Sequence, residues 1–567
     1  MNKRTHTGGP GRAAPHARRK HDRDLFLGVP WLFAAAACLL ALWAIATYAW
    51  VVAGRLRYPY DLEWMESGML CHALRLFSGQ PIYAPPSVDF VPHLYTPLYP
   101  LIVAALSKIA GDVSYPLARM VSLLSLSGAL GIAFMWARRE GGSWLAGLVA
   151  LSLPLASFAD AGGFYDLARS DSLQLFLTVA GAKLAFDSRG RHADMGLAAV
   201  LLVAAFFAKQ TAAPLIVFIG LGLLPTRRPA VLTLAVVGTL LFGLCLLVSN
   251  RASDGWFWTY IFRLHQSHPF HSHRAYVETP RTLLTLLGVA ALLVPWALLS
   301  IGTRADASSR SEELEVPPPE PLGPQPTPQG LWFLAWLGLG GLLTSMISFG
   351  TQWAHTNAYI PGLFFPSLAI GVAAGRLLHR SDEPRAQTQG SRRGRALRQA
   401  LVWGLLAASL YPRMRSLNPR AHIPTEADRA AGDAVIEKLR SAPGEVLIPF
   451  HPFYAHLAGK RTFLHRMGIW DVRDTVAAPV RGLQAAIVQR RFSRIVMDDK
   501  VEATWHDWPE LLSNYRIVER IAGPRPVEGA RTVPALVLEP LPRQDWLGPA
   551  DAPADRGPEP DSEPAAP

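Results

Sequence analysis

The chain has 567 residues, of which 50% are hydrophobic and 17% charged, and its apolar runs are repeatedly long enough to cross about 30 Å of hydrocarbon. This composition excludes an ordinary soluble protein and predicts a polytopic membrane protein. The formal net charge of +12 does not indicate nucleic-acid binding, because the Arg residues cluster between apolar segments, as the positive-inside bias produces. The three cysteines form neither a disulfide framework nor a metal motif.

A basic tail over residues 1–24 opens the chain and is expected to stay in the cytoplasm. The first apolar segment, at about Leu27 to Ala53, is too long for a signal-peptide core and is interpreted as a retained anchor. The Pro-rich loop over 55–96 would therefore face outward.

Three carboxylates stand at the start of this loop, in YPYDLEWMESG: Asp61, Glu63 and Glu66. Their density beside a membrane segment indicates a site that takes protons or holds a cation. The alternative is that they form the solvated side of an amphipathic helix lying on the bilayer.

Eleven further apolar segments follow, at about 97–110, 115–136, 143–159, 172–186, 195–208, 211–224, 230–249, 281–301, 331–349, 358–376 and 398–413. The basic loops between them are expected in the cytoplasm, namely ARRE at 137–140, DSRGR at 187–191, PTRRP at 225–229 and the Arg-rich loop from Arg376 to Arg398. All four basic loops lie on the cytoplasmic side only if the segment 97–110 enters the bilayer and returns to the side from which it came. The predicted fold class is thus an all-α polytopic membrane protein with about eleven crossings and one re-entrant segment.

The transmembrane domain would span 25–416 and contain a Pro-rich cytoplasmic linker at 303–330. A small extracytoplasmic α/β domain is predicted over 417–545, and a disordered tail over 546–567. In the α/β domain, Thr425 and Asp428 form a capping box at the start of a helix. Four strands are predicted there, at Glu445–Phe450, Arg494–Met497, Tyr515–Val518 and Ala535–Leu538.

The other predicted outward loops also bring polar side chains to the same membrane face. They are Asp166, Arg169 and Asp171 in the second loop, Lys209 in the third, Arg263, His265, His268, His271, His273 and Arg274 in the fourth, and Gln352, His355, Asn357 and Tyr359 in the fifth. Ionisable groups beside apolar segments are costly and usually serve a site, and Lys and Arg suit a phosphate. Together they indicate a pocket for a phosphorylated substrate.

Simpler interpretations exist for several of these groups. The spacings in HQSHPFHSH match no standard metal site, so a solvated loop is favoured there. Asp166 could pair with Arg169, and Lys209 could extend to the membrane interface instead of binding an anion.

The order of the first segments resembles that of the polyprenyl-phosphate-sugar-dependent glycosyltransferases of the GT-C type. These segments are one span, an acidic outer loop, the stretch YTPLYPLIVAALSKIAG and then the stretch YPLARMVSLLSLSGALGIAFMWARR. Within them it is most similar to the group of protein mannosyltransferases and the lipid A aminoarabinose transferase. The resemblance covers about 27–225 and, more weakly, 331–376.

The resemblance implies that Asp61 is the catalytic base, with Glu63 or Glu66 as its partner because Leu62 interrupts the family's acidic pair. It implies substrate-binding roles for Asp171 in ARSDSL and Lys209 in AKQT, the latter near the donor phosphate, which Arg169 would also contact. His355, Asn357 and Tyr359, in HTNAY, resemble the family's late-loop motif.

The predicted function is transfer of a sugar from a polyprenyl-phosphate donor to a lipid, glycan or protein acceptor at the outer face of the cytoplasmic membrane. Inversion at the sugar carbon is expected, because a single base permits a single displacement. A divalent metal cation is compatible with Glu63, Glu66 and Asp171 but is not required by them. The alternatives are a transporter or flippase for a lipid-linked or anionic substrate, and an envelope assembly protein that is merely anchored.

Overall fold

A computed structural model of the protein describes residues 15–308, 327–379, 389–473, 475, 479–499, 508, 510–530 and 532–542. Within these residues, fifteen α-helices lie before residue 417: α1 (Pro15–Arg55), α2 (Met65–Phe77), α3 (Leu98–Ala110), α4 (Tyr115–Gly141), α5 (Trp144–Ala156), α6 (Asp171–Asp187), α7 (His192–Ala208), α8 (Ala213–Arg251), α9 (Trp256–Trp258), α10 (Leu264–Ser267), α11 (Thr279–Leu287), α12 (Leu293–Ser308), α13 (Pro328–Gly350), α14 (Ile360–His379) and α15 (Gln389–Ser416). Short 3-10 or π-helical turns continue several of them.

Six helical stretches of the described chain are long and apolar enough to cross a membrane, as a polytopic membrane protein requires: Val29–Arg55, Tyr115–Gly141, Gln210–Arg251, Arg274–Ser300, Gln329–Gly350 and Thr356–His379. Shorter apolar helices lie between them, at Leu98–Ala110, Trp144–Ala156 and His192–Ala208. The last of the six is fully enclosed by other helices, whereas Gln210–Arg251 is 6% buried. Large apolar side chains on that outer helix are exposed, as on a surface that lipid covers.

Helix α8 joins two segments that the sequence predicts to be separated by the loop at 225–229. The backbone leaves helical geometry at Arg227 (φ −145°, ψ 41°), between Pro225 and Pro229. At 1.5 Å per residue a straight helix of 39 residues would be far longer than the hydrocarbon is thick. The kink divides it into a shorter part, Ala213 to Thr226, and a longer part, Arg228 to Arg251, which is long enough to cross.

The predicted cytoplasmic loops meet at one end of the bundle. Arg139 contacts Asp187 (Nη1–Oδ1 2.9 Å), and Arg227 donates to the carbonyl of Ala185 (3.0 Å). Arg376 donates from Nε to the carbonyl of Glu140 (2.8 Å). Described residues of all four basic loops therefore share one end of the molecule, as the sequence predicts.

The C-terminal part packs on the opposite end of the bundle, which is called here the cavity face. It contains the helices α16 (Glu426–Arg440), α17 (Phe453–Leu457), α18 (Arg466–Val472), α19 (Leu483–Val488) and α20 (Leu511–Asn514), and the strands β1 (Glu445–Leu447), β2 (Phe492–Asp498), β3 (Tyr515–Arg520) and β4 (Pro534–Pro540). The strand order is β1-β2-β4-β3, with β1 and β2 parallel and the other two pairs antiparallel.

All four predicted strands are present, and so is the capping box of α16. The hydroxyl of Thr425 accepts from the amide of Asp428 (3.2 Å), and the carboxylate of Asp428 accepts from the amide of Thr425 (2.9 Å). The predicted tail at 546–567 and most of the predicted linker at 303–330 lie outside the described residues.

Candidate active site

The loop between α1 and α2 is held by a buried ion pair on Glu66. Arg119 in α4 donates to both carboxylate oxygens of Glu66 (2.9 and 2.7 Å) and to the carbonyls of Tyr58 and Tyr60 (2.6 Å each). The amide of Ala168 adds a third donor to Glu66 at 2.6 Å. Glu66 and Arg119 are both 0% exposed, so this carboxylate fixes the shape of the loop and does not face a cavity.

Asp61 faces the C-terminal part of the chain. His451 lies between two carboxylates, with its Nδ1 2.7 Å from Asp61 Oδ2 and its Nε2 3.4 Å from Asp498 Oδ2. Burial by itself lowers the pKa of His451, but the two carboxylates outweigh it and raise that pKa to about 10. The imidazole is therefore cationic at neutral pH, and Asp61 is occupied in joining the loop to the C-terminal part.

A cavity of about 830 Å³ lies where all five predicted outward loops meet. The loops contribute Glu63 and Tyr95, Arg169 and Asp171, Lys209 and Gln210, His265 to Arg274, and Gln352 to Asn357, and the C-terminal part adds Met467, Trp470 and Asp471. Apolar side chains complete the wall, among them Met65, Leu94, Pro214, Ile347 and Pro361. The convergence expected from the loop charges is thus present.

A chain of alternating charges runs along the cavity wall. Arg169 contacts Glu63 (Nη1–Oε2 2.8 Å) and Asp171 (Nε–Oδ2 3.6 Å), and Lys209 contacts Asp171 (Nζ–Oδ1 2.6 Å). Asn357 donates to the same Asp171 oxygen at 3.0 Å. Asp166, offered above as a partner of Arg169, pairs instead with Arg55 (Nε–Oδ2 2.9 Å). Lys209 has no acidic neighbour in the sequence, but the fold gives it an acidic partner, Asp171, which lies 38 residues away along the chain.

Glu63 is the buried carboxylate of the first loop that lines this cavity. Burial raises the pKa of Glu63 to about 7, against the opposing effect of Arg169. A carboxylate with such a pKa can accept a proton near neutral pH more readily than an ordinary glutamate can.

Arg274 differs from Arg169 and Lys209, the other cations of the cavity, in its partners. Its Nη2 donates to the carbonyl of Ala354 (2.6 Å), and its guanidinium lies 4.0 Å from the ring centre of Phe349. Within the described residues no carboxylate lies within ion-pair distance of it, so its charge remains open to an anion.

Six of the nine predicted site residues line the cavity: Glu63, Arg169, Asp171, Lys209, His355 and Asn357. Asp61 and Glu66 do not line it, and Tyr359 packs against Phe349 with ring centres 4.7 Å apart. Sequence reasoning missed Tyr95, whose hydroxyl accepts from Arg169 at 2.6 Å, and Trp470 with Asp471. The dipeptide Trp470-Asp471 carries no signal that would link it to the five loops, which all lie far earlier in the chain.

The carboxylates suggested for a divalent cation do not fit one. Glu66 is bound by Arg119, Glu63 by Arg169, and Asp171 by Lys209. Within the described part of the chain, no three His, Cys, Asp or Glu side chains converge as metal ligands would. We therefore derive no step through a metal ion.

Comparisons with known proteins find no matching family model and no matching curated protein. Similar solved structures include ArnT from Cupriavidus metallidurans bound to undecaprenyl phosphate, at 12% identity over 89% of this chain and 97% of that chain, with a TM-score of 0.47. The apo oligosaccharyltransferase of Archaeoglobus fulgidus is similar at 10% identity over 84% of this chain and 71% of that chain, with a TM-score of 0.49. The predicted resemblance to the aminoarabinose transferase group is thus confirmed. At such identities and scores, the function has to be argued from the chain's own residues.

Proposed function

We propose that this protein is a glycosyltransferase that moves a sugar from a polyprenyl-phosphate carrier to a hydroxyl-bearing acceptor at the outer face of the cytoplasmic membrane. The proposal rests on the composition of the cavity, in which the buried carboxylate of Glu63, with its raised pKa, lies beside an excess of cationic side chains. Transfer of a sugar from a phosphate to a hydroxyl needs a base for the hydroxyl proton and cations for the phosphate that leaves.

The charge of the cavity suits a single phosphodiester. Arg169, Lys209 and Arg274 face the carboxyl groups of Glu63, Asp171 and Asp471. Burial raises the pKa of Asp471 to about 8, so this group is mostly neutral at pH 7. Three cations then oppose at most two ionised carboxylates, and a monoanionic lipid phosphate would balance them. The apolar part of the wall suits the isoprenoid chain.

In the proposed reaction, the acceptor oxygen attacks the anomeric carbon from the side opposite the phosphate, and the bond from that carbon to the phosphate oxygen breaks. The carboxylate of Glu63 takes the hydroxyl proton. Arg274 and Lys209 hold the phosphate and stabilise the negative charge that it gains as it leaves. One displacement of this kind inverts the configuration of the sugar carbon.

The proposed side of the membrane rests on the position of α3. The loop before α3 contacts the C-terminal part, where the amide of Leu464 donates to the carbonyl of Val88 (3.1 Å). Directly after α3, Asp112 contacts His456 of that same part (3.1 Å). Both ends of α3 thus lie at the cavity face, as expected for a segment that does not cross. With the basic loops in the cytoplasm, the cavity and the C-terminal part would then be outside.

The test is chemical conversion of the donor by purified protein in detergent, where no compartments exist. Undecaprenyl-phosphate-linked sugars are incubated with envelope extract from a deletion strain as the source of acceptor. We expect wild-type protein to release undecaprenyl phosphate and label the extract. Recovery of every donor unchanged, together with movement of the same lipids across proteoliposome membranes, would establish a flippase and refute the proposal.

A further inference from the structure

The C-terminal part contributes a section of cavity wall that the proposed transfer does not use. It consists of Trp470 and Asp471 in α18, faced by Trp353 from the loop between α13 and α14 and by His268 from the loop after α10; these four residues are called the Trp–Asp wall. None of them belongs to the alternating charges around Arg169.

Asp471 is buried in this wall, and no hydrogen bond to its carboxyl group is found within the described residues. The residue is 4% exposed, and Nε2 of His268 lies 4.0 Å from its Oδ1. Nε2 of His268 also makes no hydrogen bond within the described chain, and its side chain is 7% exposed. Buried polar groups are nearly always satisfied, because an unmade hydrogen bond costs about 1–3 kcal/mol. Two such neighbours facing one cavity indicate that a ligand supplies the missing partners.

Flat aromatic surface stands beside these two groups. Trp353 and Trp470 are stacked, with ring centres 5.6 Å apart and planes 11° apart. Trp353 has a backbone φ of 64°, in the left-handed region that costs a non-glycine residue energy, and its side chain is 49% exposed. The fold thus holds a large apolar ring open to the cavity at some cost.

We infer that the Trp–Asp wall is a binding subsite for a saccharide ring, whose apolar face lies on Trp353 and whose hydroxyls hydrogen-bond to Asp471 and His268. A hydroxyl both donates and accepts, so it can satisfy a carboxyl group and a neutral imidazole together. Burial lowers the pKa of His268, which keeps the imidazole neutral. An isoprenoid chain would leave both polar groups unsatisfied.

This inference deepens the proposed function, because either the donor's sugar or a glycan acceptor could supply the ring. The purified full-length protein should be tested by saturation-transfer NMR and titration with tetrasaccharides of mannose, glucose and N-acetylglucosamine. We expect at least one to bind, and Asp471→Ala and Trp353→Ala each to weaken it at least about tenfold. Addition of an undecaprenyl-phosphate sugar separates the sources: competition assigns the ring to the donor, and simultaneous binding assigns it to the acceptor.

Matched variants separate a subsite from a folding defect. Trp353→Phe keeps an aromatic face and should retain binding, and Trp258→Ala, which removes an exposed Trp that does not line the cavity, should leave it unchanged. Binding of undecaprenyl phosphate to the wild-type protein is measured in parallel. If that lipid fails to bind even wild type while saccharide binding depends on Asp471, the proposed function falls and this inference stands. Equal saccharide binding by wild type, Asp471→Ala and Trp353→Ala would overturn the inference, as would binding of Ser/Thr peptides in place of every saccharide.

Discussion

Glu63 and Asp61 belong to the same loop but have different surroundings, which makes them a matched pair of carboxylates. Glu63 lines the cavity, whereas Asp61 contacts His451. Both carboxylates belong to buried ion pairs, Glu63 with Arg169 and Asp61 with His451, so Glu63→Gln and Asp61→Asn should both lower the melting temperature. Only Glu63→Gln should also lower the transfer rate per folded protein, by at least about a hundredfold, the low end of what a general base contributes.

Transfer rate and melting curve should be measured on the same preparations, with rates expressed per folded protein. The resemblance to GT-C enzymes makes the opposite assignment, with Asp61 as the base. A folded Asp61→Asn protein without activity, beside an active Glu63→Gln protein, would establish that assignment and contradict ours.

The pH dependence of the reaction provides a second test of Glu63. A general base acts in its deprotonated form, and burial raises the pKa of Glu63 to about 7. The value of kcat/KM should therefore rise with pH through about 7 and then level off. Asp61→Asn should keep this limb, since Asp61 does not line the cavity. A profile that is flat from about pH 5 to 8 would exclude Glu63 as the titrating base.

Arg274 and Lys209 are expected to bind the donor phosphate. Arg274→Gln and Lys209→Met should each weaken binding of undecaprenyl phosphate about 10- to 100-fold, the range for a lost charge-assisted hydrogen bond. Lys209→Arg should weaken it much less. Arg281→Gln is the control, because Arg281 is exposed and does not line the cavity. Wild-type affinity in both Arg274→Gln and Lys209→Met would mean that the phosphate binds elsewhere.

At the scale of elements, helix α3 decides the topology. It has 13 residues, about 20 Å in length, which is short of the hydrocarbon thickness. We expect Asp112→Cys and Glu426→Cys to react with a membrane-impermeant maleimide on intact cells, while Arg189→Cys reacts only after permeabilisation. Protection of Asp112→Cys, with Glu426→Cys labelled, would mean that α3 crosses. Labelling of Arg189→Cys alone would invert the whole map.

At the scale of the whole molecule, the C-terminal part and the helical bundle are joined by buried charges. Beside His451 with its two carboxylates, Arg55 contacts both Asp166 and Glu528, and the amide of Glu528 donates to the carbonyl of Leu62 (2.9 Å). The cavity includes residues of both parts. Separation of the two parts would therefore dismantle the site, so the C-terminal part is an integral component of it.

This junction predicts a pH dependence of stability. The pKa of His451 is about 10 in the folded protein, against an ordinary value of 6.5. The stabilisation from its bound proton is fully present below about pH 6.5 and is lost as the pH rises towards 10. The free energy of unfolding should fall across this window, and His451→Gln should flatten the slope. Equal slopes for wild type and His451→Gln would show that His451 is not protonated in the fold.

The sequence by itself determined the features that depend on neighbouring residues. Long apolar runs located helices, short runs rich in Val, Ile and Leu located the four strands, and the Thr425–Asp428 spacing located a helix start. The asymmetry of charge between loops also placed five loops at one end of the bundle, because basic and acidic loops separate across a membrane. These signals are local or compositional, so they survive without knowledge of the packing.

Only the tertiary structure decided which carboxylate faces the cavity. Asp61, Glu63 and Glu66 are alike in the sequence, but their partners lie 390, 106 and 53 residues away, in His451, Arg169 and Arg119. The same holds for Asp471, which no loop pattern marks. A buried charge takes its role from the groups that surround it, and those groups are brought together by packing between distant segments, which the spacing of residues along the chain does not encode.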